Sequence, residues 1–195
     1  RVSLVGSEMC IRDRTWTVWA KRANVLPLGT WRGTKQNAAK KYNRKQKAFS
    51  FKSGADISTE KGPFVQGRSI RIQADLKSTG DGVIVAQGGS AEGYSLYIKD
   101  GHLVFSTRIG GKLSTVASEE KVASGKAIIE LTLDKSGQVS IEGADLKASG
   151  KTPGPLARQP IDGLQVGSDT GGAVGNYEAP FEFQGEINFV QVHVK

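Results

Sequence analysis

The carboxylates of this chain are the first candidates for catalysis, because paired acidic side chains can flank and hydrolyse a glycosidic bond. A glycanase built on strands would place them at alternate positions of one strand, and no segment here has the pattern Glu-x-Asp-x-Glu. Glu182 and Glu186 lack strand continuity between them, and the adjacent Glu119 and Glu120 would point to opposite faces of a strand. These spacings argue against a glycosidase.

The two histidines offer no recognisable catalytic or zinc site. His102 is next to a turn and His193 is in the last apolar segment of the chain. We interpret both as surface residues, since their positions support neither a Ser-His-Asp arrangement nor a set of zinc ligands.

Asp169 is the best single candidate for a metal ligand. It lies in a Gly-rich segment, residues 168–172, and carboxylates and backbone carbonyls of such loops often hold calcium. The alternative, which we favour, is that Asp169 caps its own turn, because this is a common use of Asp in loops. We interpret Asp81, Asp100 and Asp134 as turn residues for the same reason.

Three tyrosines are candidates for carbohydrate binding, because exposed aromatic rings can stack on the apolar faces of sugars. Tyr94 and Tyr97 are three residues apart in one predicted strand, so they should point to opposite faces, with at least one in the core. Tyr177 follows a glycine and an asparagine in a predicted loop and is the freer candidate for ligand binding. The alternative, which we favour for each ring, is that it fills the core or holds a loop in place.

The segments that position these residues are predicted to be β-strands. Residues 69–77 alternate strictly and put Ile70, Ile72, Ala74 and Leu76 on one face, as in a half-buried antiparallel strand. Comparable segments follow at residues 83–86, 94–99, 103–107, 113–117, 127–133, 139–142, 164–167 and 186–194. Gly-rich turns separate them, and no long helical pattern interrupts them. The sequence therefore predicts an all-β antiparallel sandwich.

The formal net charge of +8 suggests nucleic acid as a partner, but its location argues against this. Residues 1–48 contain 12 Lys or Arg and 2 acidic residues, a balance of +10, whereas residues 49–195 contain 15 and 17, a balance of −2. A basic run outside the folded part is more often a solvated connector than a phosphate-binding patch. No apolar run approaches the length needed to span a membrane. We predict neither nucleic-acid nor membrane binding.

Two sequence blocks carry a resemblance to a known family. One is DGVIVAQGG at residues 81–89, continued by GYSLYIKDG at 93–101, and the other is LQVGSDTGGAV at 164–174. In this order they resemble the C-terminal region of bacterial arylsulfatases, over about residues 45–195. The segment WTVWAKRANVLP at residues 16–27 is similar to the last helix of a sulfatase catalytic domain. The resemblance implies a jelly-roll sandwich of the laminin-G-like or concanavalin-like type.

The resemblance also implies a parent enzyme that hydrolyses sulfate esters with a formylglycine and a divalent cation, calcium being the expected one. Those groups would lie upstream, so we expect neither catalytic residues nor cofactors in this chain. Its partner would be the parent's catalytic domain in cis, with a sulfated glycan as a further candidate. The family suggests a periplasmic or secreted protein.

The N-terminal segment LVGSEMCIRDR, residues 4–14, resembles a translated sequencing adapter, and such processing scars are excluded from fold reasoning. We therefore expect the native protein to continue upstream of Thr15. Cys10 has Arg14 at the offset found in the sulfatase pattern Cys-x-Pro-x-Arg, but Arg12 stands in the proline position, so we assign Cys10 no role. Without this segment the chain has no cysteine and no predicted disulfide.

Four segments are predicted on these grounds. Residues 1–14 are a non-native tail, 15–32 a short helix that ends a sulfatase catalytic domain, 33–47 a basic linker, and 48–195 the sandwich. The sandwich is expected to be a non-catalytic accessory domain that supports the parent's catalytic domain. The alternative is a carbohydrate-binding laminin-G-like module of an exported protein.

Overall fold

The computed structural model describes residues 42–143 and 145–195, together with Trp16, Val18 and Trp19. The chain divides into two units, Arg1–Lys40 and Lys41–Lys195. Trp16, Val18 and Trp19 are helical and exposed. The rest of the predicted segments 1–14 and 15–32, and residues 33–41 of the predicted linker, lie outside the described residues. The predicted segment boundaries therefore stay predictions.

The described part of the second unit folds into twelve strands. They are β1 (Ala48–Phe51), β2 (Asp56–Ile57), β3 (Ile70–Ser78), β4 (Gly82–Gly88), β5 (Gly93–Lys99), β6 (His102–Ile109), β7 (Lys112–Lys121), β8 (Gly125–Leu133), β9 (Gln138–Gly143), β10 (Leu146–Lys151), β11 (Leu164–Val166) and β12 (Gly185–Val194).

These strands pair into two six-stranded sheets in which every neighbouring pair is antiparallel. The strand order in the first sheet is β1-β12-β3-β8-β9-β10, and in the second sheet it is β2-β11-β4-β5-β6-β7. The central strands of the first sheet come from distant parts of the chain. The predicted all-β sandwich is confirmed.

The core lies between the inner faces of the two sheets. On β3 the residues at alternate positions, Ile70, Ile72, Ala74 and Leu76, are completely or almost completely buried. One cluster joins them to side chains of the second sheet such as Leu96. Burying each large side chain of this kind contributes about 1.5–3 kcal/mol, so strict alternation along the strands is what holds the sheets together.

Tyr94 and Tyr97 lie on opposite faces of β5, as their spacing predicts, and both are buried. Tyr94 belongs to the core between the sheets, where its hydroxyl has no hydrogen-bond partner among the described residues. Tyr97 lies on the outer face of the second sheet, where its hydroxyl is 3.0 Å from Ser106 Oγ. The prediction that at least one of the rings is in the core is confirmed, and neither ring face is open to a ligand.

Two of the predicted turn aspartates, Asp134 and Asp81, accept hydrogen bonds from backbone N–H groups. Asp134 Oδ1 accepts from the Ser136 and Gln138 backbone N–H groups, at 2.8 and 2.9 Å, and so closes the turn between β8 and β9. These hydrogen bonds, with that of the Ser136 hydroxyl first, lower the pKa of Asp134. Asp81 accepts from the backbone N–H of Asp100 at 2.7 Å and so joins two neighbouring turns. Asp134 thus caps its own turn, as the sequence interpretation states, whereas Asp81 accepts from a different turn, 19 residues further along the chain.

Strands β1, β2 and β10 are absent from the segments predicted above. The β10 residues include Ala148, Ser149 and Gly150, which have little β-propensity of their own. They are extended because β9 supplies a complete antiparallel partner, from Leu146 opposite Gly143 to Lys151 opposite Gln138. In the described residues no helix is long and apolar enough to cross a bilayer.

Candidate functional site

Two rows of polar side chains cross the outer face of the first sheet. Strand alternation points them outward, and the register aligns them over β12, β3, β8 and β9. The first row is His193, Arg71, Thr132 and Ser140, and the second row is Gln191, Gln73, Glu130 and Glu142. Each row spans four strands, about 14 Å at the usual interstrand spacing.

All of these side chains except Gln191 line a groove of about 750 Å³, which we call the polar groove. Ser69, Asp134 and Lys195 lie at the end of it next to the first row. The groove walls contain amide, hydroxyl, imidazole, guanidinium and carboxylate groups. Hydrogen-bond donors and acceptors are therefore mixed over a surface the size of a few sugar rings.

Two carboxylates of the polar groove, Glu130 and Glu142, belong to ion pairs. Arg71 Nη2 lies 2.9 Å from Glu130 Oε2, and Lys147 Nζ lies 3.8 Å from Glu142 Oε1. Both pairs are exposed, so each contributes at most about 1 kcal/mol to stability. Glu130 and Glu142 are directly opposite each other on β8 and β9, with Cβ atoms about 5 Å apart in such pairs. The register thus creates a pair of carboxylates that no sequence spacing indicated.

An apolar strip lies one row beyond the groove. Phe189 on β12 and Ile128 on β8 flank Asp75 on β3. Ile128 is 55% exposed, Phe189 is partly exposed, and Asn188 Nδ2 donates to Asp75 Oδ1 at 3.0 Å. A polar groove next to an exposed apolar strip matches the two surfaces of a sugar ring, hydroxyl edge and C–H face.

Asp169 and Tyr177, the two site residues predicted from the sequence, lie elsewhere and are joined to each other. Both belong to residues 167–184, the segment between β11 and β12, which we call the outer loop. The Tyr177 hydroxyl donates to Asp169 Oδ2 at 2.7 Å and is 2.9 Å from Ser95 Oγ. Tyr177 also packs against Tyr97 and Phe181, with ring centroids 4.8 and 5.1 Å away. The outer loop is thereby fastened to the outer face of the second sheet.

Burial governs the electrostatics of this pair. Asp169 is 3% exposed, and burial raises the pKa of its carboxyl while hydrogen bonds from Tyr177 and the Val174 N–H oppose the rise. Burial, and next the charge of Asp169, raise the pKa of the Tyr177 phenol above its ordinary value. The pair therefore consists of a carboxylate acceptor and a phenol that retains its proton.

This environment fits the alternatives that the sequence offered for both residues. Asp169 accepts hydrogen bonds within its own loop, and Tyr177 holds that loop in place. Nowhere in the described residues do three or more His, Cys, Asp or Glu side chains form a group able to hold a metal. Calcium binding by Asp169 and ligand binding by Tyr177 stay untested predictions.

Comparisons with known proteins point to one fold. No protein-family model matches the chain. Among curated proteins, the mouse basement membrane-specific heparan sulfate proteoglycan core protein is 34% identical over 86 residues, which is 40% of this chain and 2% of that protein. The chain thus matches a small part of a much longer relative.

Two laminin structures give the same result. Domains LG4-5 of the mouse laminin α1 chain match 77% of this chain and 42% of theirs, with a TM-score of 0.58 and 14% identity. The LG1-3 region of the laminin α2 chain matches 77% of this chain and 30% of its own, with a TM-score of 0.54 and 14% identity. At this identity the likeness concerns the fold, and nothing in it supports an arylsulfatase parent. The chain has a laminin-G-like jelly-roll β-sandwich.

Proposed function

We propose that this chain is a non-catalytic carbohydrate-binding module that holds a glycan in the polar groove. The observation that carries the proposal is the alignment of two rows of donors and acceptors across four strands, beside the apolar strip of Phe189 and Ile128. Glycan hydroxyls both donate and accept hydrogen bonds, so they fit a surface of mixed polarity better than an apolar ligand would.

The charges of the groove favour a glycan that is neutral where it contacts the rows. Two cations, Arg71 and Lys195, face three carboxylates, Glu130, Asp134 and Glu142, and Lys147 pairs with Glu142 from beside the groove. Together these groups carry no net charge, so the groove does not attract a polyanion. Arg71 and Glu130 are the expected main contacts, because charged hydrogen-bond partners contribute about 1.5–3 kcal/mol each.

Removal of Arg71 should weaken glycan binding about 10- to 100-fold. Arg71→Ala deletes a charged donor at the centre of the groove and leaves Glu130 without its partner, and the loss of one charged hydrogen bond corresponds to that range. The measurement is a glycan array with the full chain, followed by calorimetric titration of the best neutral oligosaccharide into the wild type and Arg71→Ala.

Lys126→Ala is the matched control, because Lys126 is exposed on the same face of β8 but outside the groove. It should change the affinity less than about twofold. Equal affinity of Arg71→Ala and wild type would place the glycan elsewhere, and a folded chain that binds no glycan would overturn the proposal. Sugar release that depends on Glu130 and Glu142 would contradict the non-catalytic assignment.

The arylsulfatase parent is a second proposal, supported by the order of the sequence blocks at residues 81–101 and 164–174. In that case the sandwich supports the parent's catalytic domain, and the protein is periplasmic or secreted. The test is to sequence the gene upstream of Thr15 from an unbroken template. A sulfatase domain with Cys-x-Pro-x-Arg in frame supports the proposal, and an unrelated upstream frame overturns it.

A further inference from the structure

Two arginines, one before β1 and one just before β3, contact the same phenylalanine ring. Arg44 Cζ lies 4.6 Å and Arg68 Cζ 5.1 Å from the centroid of Phe64. Tyr42 packs on the same ring, with centroids 5.6 Å apart. The Phe64 side chain is 7% exposed, so the cluster encloses it almost completely. Cation–π contacts of this kind are worth about 0.5–2 kcal/mol each.

The shared ring limits the distance between the two guanidinium groups. Because both carbon atoms lie near one centroid, they are at most about 10 Å apart, comparable with the screening length in physiological salt, about 8 Å. The two like charges therefore repel each other. An anion bound by both would reverse this unfavourable interaction.

Neither arginine pairs with a carboxylate of the described residues. The Arg68 guanidinium donates one hydrogen bond to the described residues, from Nη2 to the Arg44 carbonyl at 3.0 Å. Arg68 Nη1 is buried and has no partner among the described residues. An oxyanion is the acceptor that the planar geometry of a guanidinium fits best.

The surroundings of the cluster are positive, in contrast to the groove. Residues 42–47 and 60–68 contain five cations, Arg44, Lys45, Lys47, Lys61 and Arg68, and one carboxylate, Glu60. Arg68 directly precedes Ser69, which lines the end of the polar groove with Lys195. A glycan in the groove would therefore approach this positive region at one end.

We propose that Arg44, Phe64 and Arg68 form a second binding site, which accepts an oxyanion of an acidic glycan, either a sulfate or a carboxylate. The site uses a guanidinium pair on an aromatic support and does not depend on the groove. The two arginines together recognise one oxyanion. The net charge of −2 over residues 49–195 disfavours binding of a long polyphosphate.

The test uses the full chain labelled for NMR and titrated with glucose 6-sulfate, glucuronate and, as the uncharged reference, glucose. The Nε–Hε signals of Arg44 and Arg68 should shift with at least one of the two acids and not with glucose. The acid that shifts them identifies the oxyanion. No shift with either acid would overturn the proposal.

Variants separate recognition from general electrostatic attraction. The double variant Arg44→Ala with Arg68→Ala should weaken binding of the acid at least about tenfold. The control double variant, Lys112→Ala with Lys135→Ala, removes the same charge at exposed positions elsewhere and should change the affinity less than about twofold. Arg44→Lys with Arg68→Lys retains the charge and should recover only part of the affinity, because lysine lacks the planar fork. Equal losses in the two alanine pairs would overturn the proposal.

The proposal of this oxyanion site and the proposal of glycan binding in the polar groove can be tested separately. Arg71→Ala should leave the acid-induced shifts at Arg44 and Arg68 unchanged. The urea unfolding midpoint of the variant Arg44→Lys with Arg68→Lys, compared with that of the wild type, controls for folding, because this variant retains cations over Phe64. A folded lysine pair with full wild-type affinity would show that charge alone is recognised, against the proposal.

Discussion

Leu131→Ala should lower the free energy of unfolding by about 3–5 kcal/mol, in the upper part of the range for buried leucines. Leu131 is fully buried on the inner face of β8, and β8 is hydrogen-bonded to β3 on one side and β9 on the other. With both neighbours fixed, the strand cannot move to fill the cavity. Urea unfolding followed by circular dichroism measures the loss.

Thr132→Ala is the control within the same strand. Thr132 points to the outer face and is exposed, so its replacement should cost less than about 1 kcal/mol, mainly through lower β-propensity. A shift of one residue in the register of β8 would exchange the two faces. If Thr132→Ala cost as much as Leu131→Ala, the assignment of the faces, and with it the polar groove, would be wrong.

The two faces of β3 could be assigned from the sequence because the relevant information is local. Ile70 and Ile72 alternate with Arg71 and Gln73 over a stretch that two glycine-containing turns delimit, and alternation in a strand has a period of two. The fold class follows from many such segments. β10 was not predicted because its extended conformation comes from pairing with β9. Its own residues do not encode that pairing.

The polar groove could not be predicted, because it depends on register between distant segments. Arg71 and Glu130 are 59 residues apart in the chain and 2.9 Å apart in the structure. Alternation shows that each points outward, but not that β3 lies between β8 and β12. His193 was interpreted as a surface residue, which is correct for its exposure, yet only the sheet order places it in a row with Arg71.

Asp169 and Tyr177 illustrate an intermediate case. They are eight residues apart in one Gly-rich loop, so the sequence could suggest a local contact but could not show which surface would bury it. The second sheet supplies that surface through Tyr97 and Ser95. The same burial that limits access of a ligand to Tyr177 keeps its phenol protonated in the folded state, and this makes the stability of the fold sensitive to alkali.

The second large effect is therefore expected at high pH: between pH 10 and pH 12 the free energy of unfolding should fall by about 4–5 kcal/mol because of two tyrosines. Burial raises the pKa of the Tyr94 and Tyr177 phenols above the ordinary value of 10.0. Above pH 10 the unfolded chain releases both protons while the folded chain retains them. The folded state then binds more protons, so stability is complete below pH 10 and is lost as the pH rises.

Tyr94→Phe and Tyr177→Phe isolate this contribution from that of other groups titrating in the same range. Each variant should reduce the slope of unfolding free energy against pH by up to about 1.4 kcal/mol per pH unit. Tyr94→Phe should cost no stability at neutral pH, since the Tyr94 hydroxyl is buried without a described partner. Tyr177→Phe should cost some, because it removes the hydrogen bond to Asp169. Slopes identical to that of the wild type would show that these phenols ionise in the folded protein, against the prediction. For Tyr177 this would mean that the outer loop opens before the sandwich unfolds.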